Sequence, residues 1–215
     1  MIQLLSTSRC RMPEVKSMHA LAPRLSRRAS GAYSVEFAIV VVVFLAFVFG
    51  IIEIARAMYV VNTLQEATRR AATAVARIDF RDTAALDRAR QRAIFRDSAG
   101  ELVLGHPITD AHLRIDYLAL VRGGTGVMTL TPVGAGAMPA CPGRNRLTCT
   151  ADPNDPSCIR FVRVRVCAAD DTSQCKQVRY TPTVPLVDLP LDLPRSTTIA
   201  LAETLGYTPG MTPCP

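Results

Sequence analysis

Tryptophan is absent from this 215-residue chain, and the other aromatic residues are few, with five tyrosines and seven phenylalanines. A soluble core must therefore be built from valine, leucine, isoleucine and alanine side chains. Histidine is also scarce, with three residues, and the sequence has neither a glycine-rich phosphate loop nor a serine in the setting of a nucleophile elbow. We therefore expect no enzymatic activity and no cofactor.

Net positive charge is small beyond the N-terminal segment, although the whole chain has a net charge of +7. Residues 1–30 account for +5, because six basic residues accompany a single glutamate there. The remaining charge is spread thinly, so the sequence does not favour a nucleic-acid partner. Lysine and arginine accumulate on the cytoplasmic side of membrane segments, so a cytoplasmic N-terminus is expected, with residues beyond about 56 outside the membrane in the periplasm.

Charged residues are missing throughout Phe37–Ile52, and no second run of this kind occurs. These sixteen residues would form about 24 Å of helix at ~1.5 Å per residue. A bilayer core is ~30 Å thick, so the span must extend into its flanks, which places Glu36 and Glu53 near the two interfaces. The pattern predicts one transmembrane helix in the lipid bilayer rather than a soluble core helix.

A cleavable secretory signal is the main competing interpretation of this segment. Ala55-Arg56-Ala57 superficially matches a small-x-small cleavage pattern. Glu53 and Arg56 crowd that position, and the apolar run is long for a signal peptide, so the membrane helix is favoured.

No glycine or proline interrupts the sequence between Ile51 and Arg81. The helix is therefore expected to continue from Ala32 to Ile78, with a second half that is amphipathic. Three- and four-residue steps define its apolar face, which comprises Ala57, Val60, Val61, Leu64, Ala67, Ala71, Ala72, Val75 and Ile78.

Beyond this helix the sequence predicts a short helix and an antiparallel sheet of four or five strands, an α+β fold. The short helix is capped by Asp82 or Thr83 and runs to about Asp97. Strands are expected at 112–121, 127–133, 159–167 and 197–205, with 177–180 as an additional candidate and 134–158 as a disulfide-rich loop. The expected organisation is a leader at 1–31, a helix at 32–79 and a periplasmic domain at 80–215.

Seven cysteines are present, and Cys10 is the only one in the leader. An even number on the predicted outer side indicates disulfides in an oxidising compartment, although fifteen pairings remain open. A zinc site is disfavoured because paired Cys-x-x-Cys ligands are missing. The six disulfide candidates are Cys141, Cys149, Cys158, Cys167, Cys175 and Cys214.

Two further groups of residues are candidates for binding: a pair of small residues in the apolar run, and two histidines with nearby aspartates. Ala46 and Gly50 form a small-x-x-x-small pair that would let another membrane helix approach closely, although such pairs also arise by chance. His106 and His112 lie near Asp110 and Asp116, but their spacing matches no metal-ligand pattern, so no metal site is expected.

Glu36 is a carboxylate at the mouth of the apolar run, where a charge is costly unless it is paired. It either reaches the water interface or pairs with a cation at the same depth. Cleavage after Gly31 would create such a cation, the α-amino group of Ala32. In a side-by-side assembly the amine of one subunit would then pair with Glu36 of its neighbour.

The segment Gly31-Ala-Tyr-Ser-Val-Glu36-Phe37 resembles a type IV prepilin processing site. Together with Phe49-Gly-Ile-Ile-Glu-Ile-Ala-Arg-Ala-Met-Tyr and Thr63-Leu-Gln-Glu-Ala-Thr-Arg-Arg-Ala-Ala, it resembles the TadE-like family, minor pseudopilins of tight-adherence (Flp) pili. The resemblance is strong over residues 27–77 and weaker over 180–205. The cysteine-rich middle and the length are more similar to the longer TadF- and TadG-type relatives.

The resemblance implies an inner-membrane protein that is cleaved by a prepilin peptidase and takes part in pilus assembly, adhesion and biofilm formation. Gly31 would precede the cut, Glu36 would be the assembly carboxylate, and Arg27 and Arg28 would be basic contacts of the leader. The implied partners are the major Flp pilin, other pseudopilins, the inner-membrane platform proteins and the secretion ATPase.

The leader is long for this family, and Ala32 is not aromatic; Met12 and Met18 are alternative start sites to Met1. The competing functional interpretation is an uncleaved, membrane-anchored periplasmic binding or scaffold protein.

Overall fold

The computed structural model describes residues 29–171, 174–183, 191–211 and 214. Residues 1–28 of the predicted leader, which include Arg27, Arg28 and the alternative start sites, lie outside the described residues, whereas residues 29–31 begin α1. Two compact units meet between Leu45 and Ala46. The first contains the beginning of helix α1, Ala29–Val75, and the second contains the rest of α1 and the sheet.

The second half of α1 is the central core element of the second unit. Six positions of the predicted apolar face are confirmed as fully buried, because a 3.6-residue period keeps them on one side of the helix: Val60, Leu64, Ala67, Ala71, Ala72 and Val75. Ala57 and Val61 are only partly buried, and Ile78 lies beyond the end of the helix. Thr63 and Thr68 are also buried.

Helix α2 spans Thr83–Ala93 and begins at Asp82, whose side chain accepts a hydrogen bond from the backbone N–H of Ala85. Its buried side chains, Leu86, Ala89 and Ala93, join the core. The helix ends about one turn earlier than the sequence predicts, because Phe95 adopts a φ of 62° and leaves the right-handed helical region.

Four antiparallel strands form the sheet, in the order β2-β1-β3-β4. They are β1 Leu113–Arg122, β2 Met128–Pro132, β3 Phe161–Val166 and β4 Thr197–Leu201. The predicted α+β fold is therefore confirmed. Residues 177–180 form no strand and contribute only an isolated bridge between Arg179 and Asp192.

The faces of β3 differ as its alternating sequence predicts. Val162, Val164 and Val166 are buried in the same core as α1, whereas Arg163 and Arg165 lie on the opposite face. There both arginines contact the Asp116 carboxylate, at 3.1 and 2.7 Å. The inner face of the sheet thus packs with the helices, and the outer face is polar at this end.

A third helix, α3, spans Pro142–Ala151, where the sequence predicts only a disulfide-rich loop. That expectation was wrong for these ten residues. Proline occupies the first turn, where its missing N–H costs nothing. The buried Asn145 side chain exchanges two hydrogen bonds with the backbone of Ile159, which ties the helix to the start of β3.

Candidate functional site

Gly31 and Glu36 both lie inside the first turns of α1, which begins at Ala29. The helix is therefore continuous across the predicted cleavage position. A side chain added at Gly31 would meet open space, and Glu36 is exposed. Nothing in the described residues covers either position, so both are accessible to another protein.

The apolar run that follows Glu36 is exposed along its length, with Phe37, Phe44 and Phe47 more than half exposed. Among the described residues one helix is long and apolar enough to cross a membrane. Exposed phenylalanine and valine side chains on every face of a helix fit a lipid surrounding and not water. The chain is thus consistent with a single-pass membrane protein.

Ala46 and Gly50 are exposed in the second unit, and a Cβ at Gly50 would meet no atom within 4 Å. The pair is open to the approach of another helix, but its predicted packing role remains a prediction.

Three side chains, those of Glu53, Arg56 and Tyr180, form a compact polar cluster at the end of the apolar run. We call this cluster the clasp. Arg56 Nη1 lies 3.0 Å from Glu53 Oε1 and donates to the Tyr180 hydroxyl oxygen at 3.0 Å. The Tyr180 hydroxyl in turn donates to Glu53 Oε1. The two charged side chains are only 12% and 10% exposed, so they form an ion pair that is largely removed from water.

Backbone groups complete the clasp. Arg56 donates to the carbonyl oxygens of Leu104 at 2.9 Å, Thr181 at 2.9 Å and His106 at 3.1 Å. The backbone N–H of Thr183 donates to Glu53 Oε1 at 3.2 Å. A planar guanidinium with donors in a fixed fork suits such a multiple contact. One turn of α1 is thereby joined to two loops that are distant in sequence.

Burial and the hydrogen bond to Glu53 together raise the pKa of Tyr180 to about 12. The phenol therefore stays protonated at any physiological pH and remains a donor to the carboxylate. The Arg56 guanidinium also lies over the Tyr180 ring, 5.1 Å from its centroid. These contacts make the clasp a structural joint at the C-terminal end of the apolar run.

Residues 31–73 match the family model described as TadE-like protein. The match confirms the resemblance seen in the sequence and associates the chain with Tad pilus systems and membrane attachment. No curated protein and no solved structure matches the chain. The TadE-like segment covers about a fifth of the 215 residues.

The TadE-like segment begins at Gly31 and includes Glu36, Glu53 and Arg56. Two of the three clasp side chains thus lie inside it, whereas Tyr180 lies outside. The sequence predicts Glu53 at the membrane interface but indicates no role for Arg56 or Tyr180. The sequence does contain one signal for this ion pair: a glutamate and an arginine lie three residues apart directly after the apolar run, and residues at this spacing are neighbours on a helix.

Outside the TadE-like segment, the two histidines have separate partners. His106 Nδ1 lies 3.1 Å from Glu101, and His112 Nδ1 accepts a hydrogen bond from the Thr109 backbone at 3.0 Å. Asp110 accepts from the Gly100 backbone. Within the described ranges no group of three or more histidine, cysteine, aspartate or glutamate side chains could hold a metal ion.

All six candidate cysteines beyond α1 form disulfides, and the structure selects one of the fifteen pairings. Two bridges are local, Cys149–Cys158 and Cys167–Cys175, with separations of 9 and 8 residues. The third, Cys141–Cys214, closes a loop of 73 residues and ties the start of α3 to the C-terminal segment.

Proposed function

We propose that this chain is a non-enzymatic, minor pseudopilin-like protein of the bacterial inner membrane that takes part in assembly of a tight-adherence (Flp, type IVb) pilus. Through that pilus it would support surface adhesion and biofilm formation. The observation that carries the proposal is the TadE-like match, which begins at Gly31 and continues through Glu36 into an exposed, membrane-length apolar helix.

The proposed activation step is proteolytic. A prepilin peptidase cleaves the peptide bond after Gly31 and releases the basic leader, leaving a new amino group on Ala32. This amine pairs with the Glu36 carboxylate of a neighbouring subunit inside the membrane, where an unpaired charge is costly. Glu36 is exposed in the single chain, which leaves it available to a neighbour.

The proposed topology places the leader in the cytoplasm and the sheet domain in the periplasm. The excess of basic residues before Gly31 supports this orientation. Three disulfides support an oxidising compartment for the domain. The proposed partners are the major Flp pilin, other pseudopilins, the inner-membrane platform proteins and the secretion ATPase.

Mass spectrometry of the mature N-terminus tests the processing step. We expect the protein isolated from membranes to begin at Ala32, and Gly31→Ala to retain the leader. Gly50→Ala is the matched control, because it also replaces an exposed glycine in α1 and meets open space. An intact leader in the unmodified protein would contradict the processing step and favour the uncleaved membrane-anchored binding or scaffold protein.

The assembly role of Glu36 is tested by Glu36→Ala in cells that lack the original chain. Membrane insertion is expected to persist, because removing a charge lowers the cost of burial in lipid. Pilus formation is expected to fail, because the amine of the neighbour loses its partner. Normal piliation in this variant would remove the role assigned to Glu36.

A further inference from the structure

An apolar loop tip lies beside the outer end of the membrane helix. Residues 101–109 form a loop whose two arms are held by a bridge between Glu101 and Thr109. Leu102 is 3% exposed and is buried in the core, but the next two side chains at the tip, Val103 and Leu104, are 54% and 69% exposed. Two adjacent exposed aliphatic side chains on an otherwise anchored loop indicate a surface that meets something other than water.

The backbone of the loop holds these two side chains outward. Leu104 has a φ of 55°, in the left-handed region that a leucine rarely adopts. Gly105 follows, and a Cβ at that position would come within 2.5 Å of a methyl carbon of Leu102. The tight turn, with the Gly105 N–H bonded to the Leu102 carbonyl at 2.9 Å, therefore buries Leu102 and directs the tip away from the core.

The clasp fixes the position of this loop tip along the axis of α1, and therefore its distance from the end of the apolar run. Arg56 Nε donates to the Leu104 carbonyl oxygen at 2.9 Å. Arg56 lies four residues beyond Ile52, where the apolar run ends, which corresponds to about 6 Å of helix. The headgroup layer adds roughly 5–7 Å on each side of the hydrocarbon core. The loop tip is therefore held at the level of the headgroups.

We propose that Val103 and Leu104 insert into the outer interfacial layer of the bilayer that anchors α1. The occupant of this surface is lipid, because Arg56 holds the exposed aliphatic tip next to the end of the apolar run, at the depth where amphipathic elements bind membranes. The inference rests on the membrane-spanning part of the proposed function. It adds a second membrane contact, which restrains rotation of the sheet domain about the axis of α1.

The absence of tryptophan permits a direct test, since each introduced tryptophan is the only one in the chain. The full chain is reconstituted in vesicles of phosphatidylcholine and phosphatidylglycerol, with bromine atoms placed either near the headgroup end or near the terminal end of the acyl chains. Leu104→Trp carries the probe at the tip, and Val103→Trp is the second variant if the strained backbone at Leu104 rejects a larger ring.

Two control variants provide the reference signals for a tryptophan inside the bilayer and a tryptophan in water. Phe44→Trp places the probe in the middle of the apolar run, and Leu130→Trp places it at an exposed position on β2. We expect Leu104→Trp to show a blue-shifted emission and a loss of intensity that is larger with bromine near the headgroups. Phe44→Trp should lose more intensity with bromine near the chain ends, and Leu130→Trp should lose none.

The outcomes separate the loop from the helix. If Phe44→Trp is quenched while both tip variants behave like Leu130→Trp, the loop inference is overturned and the membrane span stands. If Phe44→Trp is not quenched, the span and the loop contact are overturned together. Stronger quenching of the tip by deep bromines than by shallow ones also contradicts an interfacial position.

Discussion

Arg56 joins helix α1, just after its apolar run, to two loops of the sheet domain. It pairs with a largely buried glutamate and also donates to three backbone carbonyls that no other residue type would reach together. A lysine has a single charged nitrogen and cannot reproduce the fork. The contribution of Arg56 is therefore geometric as much as electrostatic.

At this scale we predict that Arg56→Lys destabilises the sheet domain by about 2–3 kcal/mol, because a buried carboxylate and several carbonyls lose charge-assisted partners. Thermal unfolding of the full chain in detergent measures the effect. Arg77→Lys, two residues beyond the end of the same helix, is the matched control, since Arg77 pairs with Glu203 in an exposed position. It should leave the unfolding temperature almost unchanged. Equal effects of the two substitutions would contradict a special role for the clasp.

His112 gives the domain a pH dependence with a definite sign. Burial lowers the pKa of His112 below its usual value, and its neutral Nδ1 accepts the Thr109 backbone N–H. The unfolded chain then binds more protons than the folded chain once the pH falls below about 6.5. The stabilisation is present above that pH and is lost as the pH falls through the lower, folded-state pKa.

We therefore predict that denaturant midpoints decrease between about pH 7 and pH 5, and that His112→Gln flattens part of this slope. His106→Gln is the control, because the His106 ring is exposed and lies next to Glu101. A slope that persists unchanged in His112→Gln would assign the pH dependence to other groups.

At the scale of elements, the second half of α1 and the inner face of the sheet form one core. Leu64 is fully buried in it, together with valines of β3. We predict that Leu64→Ala lowers the free energy of unfolding by about 3 kcal/mol, since a cavity replaces the side chain. Leu147→Ala on α3 removes the same atoms from a side chain that is 49% exposed. It should cost no more than about 0.5 kcal/mol.

A disulfide that encloses a longer loop is expected to stabilise the domain more, although the gain grows only with the logarithm of the loop length. In the chain-entropy model a closed loop of 73 residues stabilises by about 4 kcal/mol, whereas one of 8 residues stabilises by about 2.5 kcal/mol. We predict that replacing Cys141 and Cys214 by serine lowers the denaturant midpoint more than replacing Cys167 and Cys175. The reverse order would show that strain or residual structure, and not loop length, governs these bridges.

At the scale of the whole molecule, the two glutamates that flank the apolar run have opposite roles. Glu53 is buried in the clasp, whereas Glu36 is exposed. The first contributes to folding of the sheet domain, and the second has the assembly role that we propose for it.

We predict that Glu53→Gln lowers the unfolding temperature of the domain, because Arg56 is left without its counter-charge, while Glu36→Gln leaves that temperature unchanged. Unfolding in detergent and a piliation assay are measured on both variants. Loss of piliation in Glu36→Gln with an unaltered unfolding temperature is the expected signature of an assembly residue. A lowered unfolding temperature in Glu36→Gln would contradict the division of roles.

Local patterns in the sequence were sufficient for much of this molecule. The period of the apolar residues in α1 predicted its buried face, and the alternation in β3 predicted which valines meet the core, because both follow from backbone geometry alone. Helix α3 could not be predicted in this way. Asn145 and the Cys149–Cys158 bridge hold it through partners that follow the helix in the chain.

The sequence by itself determined the membrane-length apolar helix, the excess of basic residues before Gly31 and the positions of Gly31 and Glu36, because hydropathy and charge are local properties that need no partner. The tertiary structure decided the cysteine pairing and the clasp. Tyr180 lies 127 residues from Glu53, and only folding of the sheet domain against α1 brings the two into contact. Such a contact depends on the path of the whole chain, which no local pattern encodes.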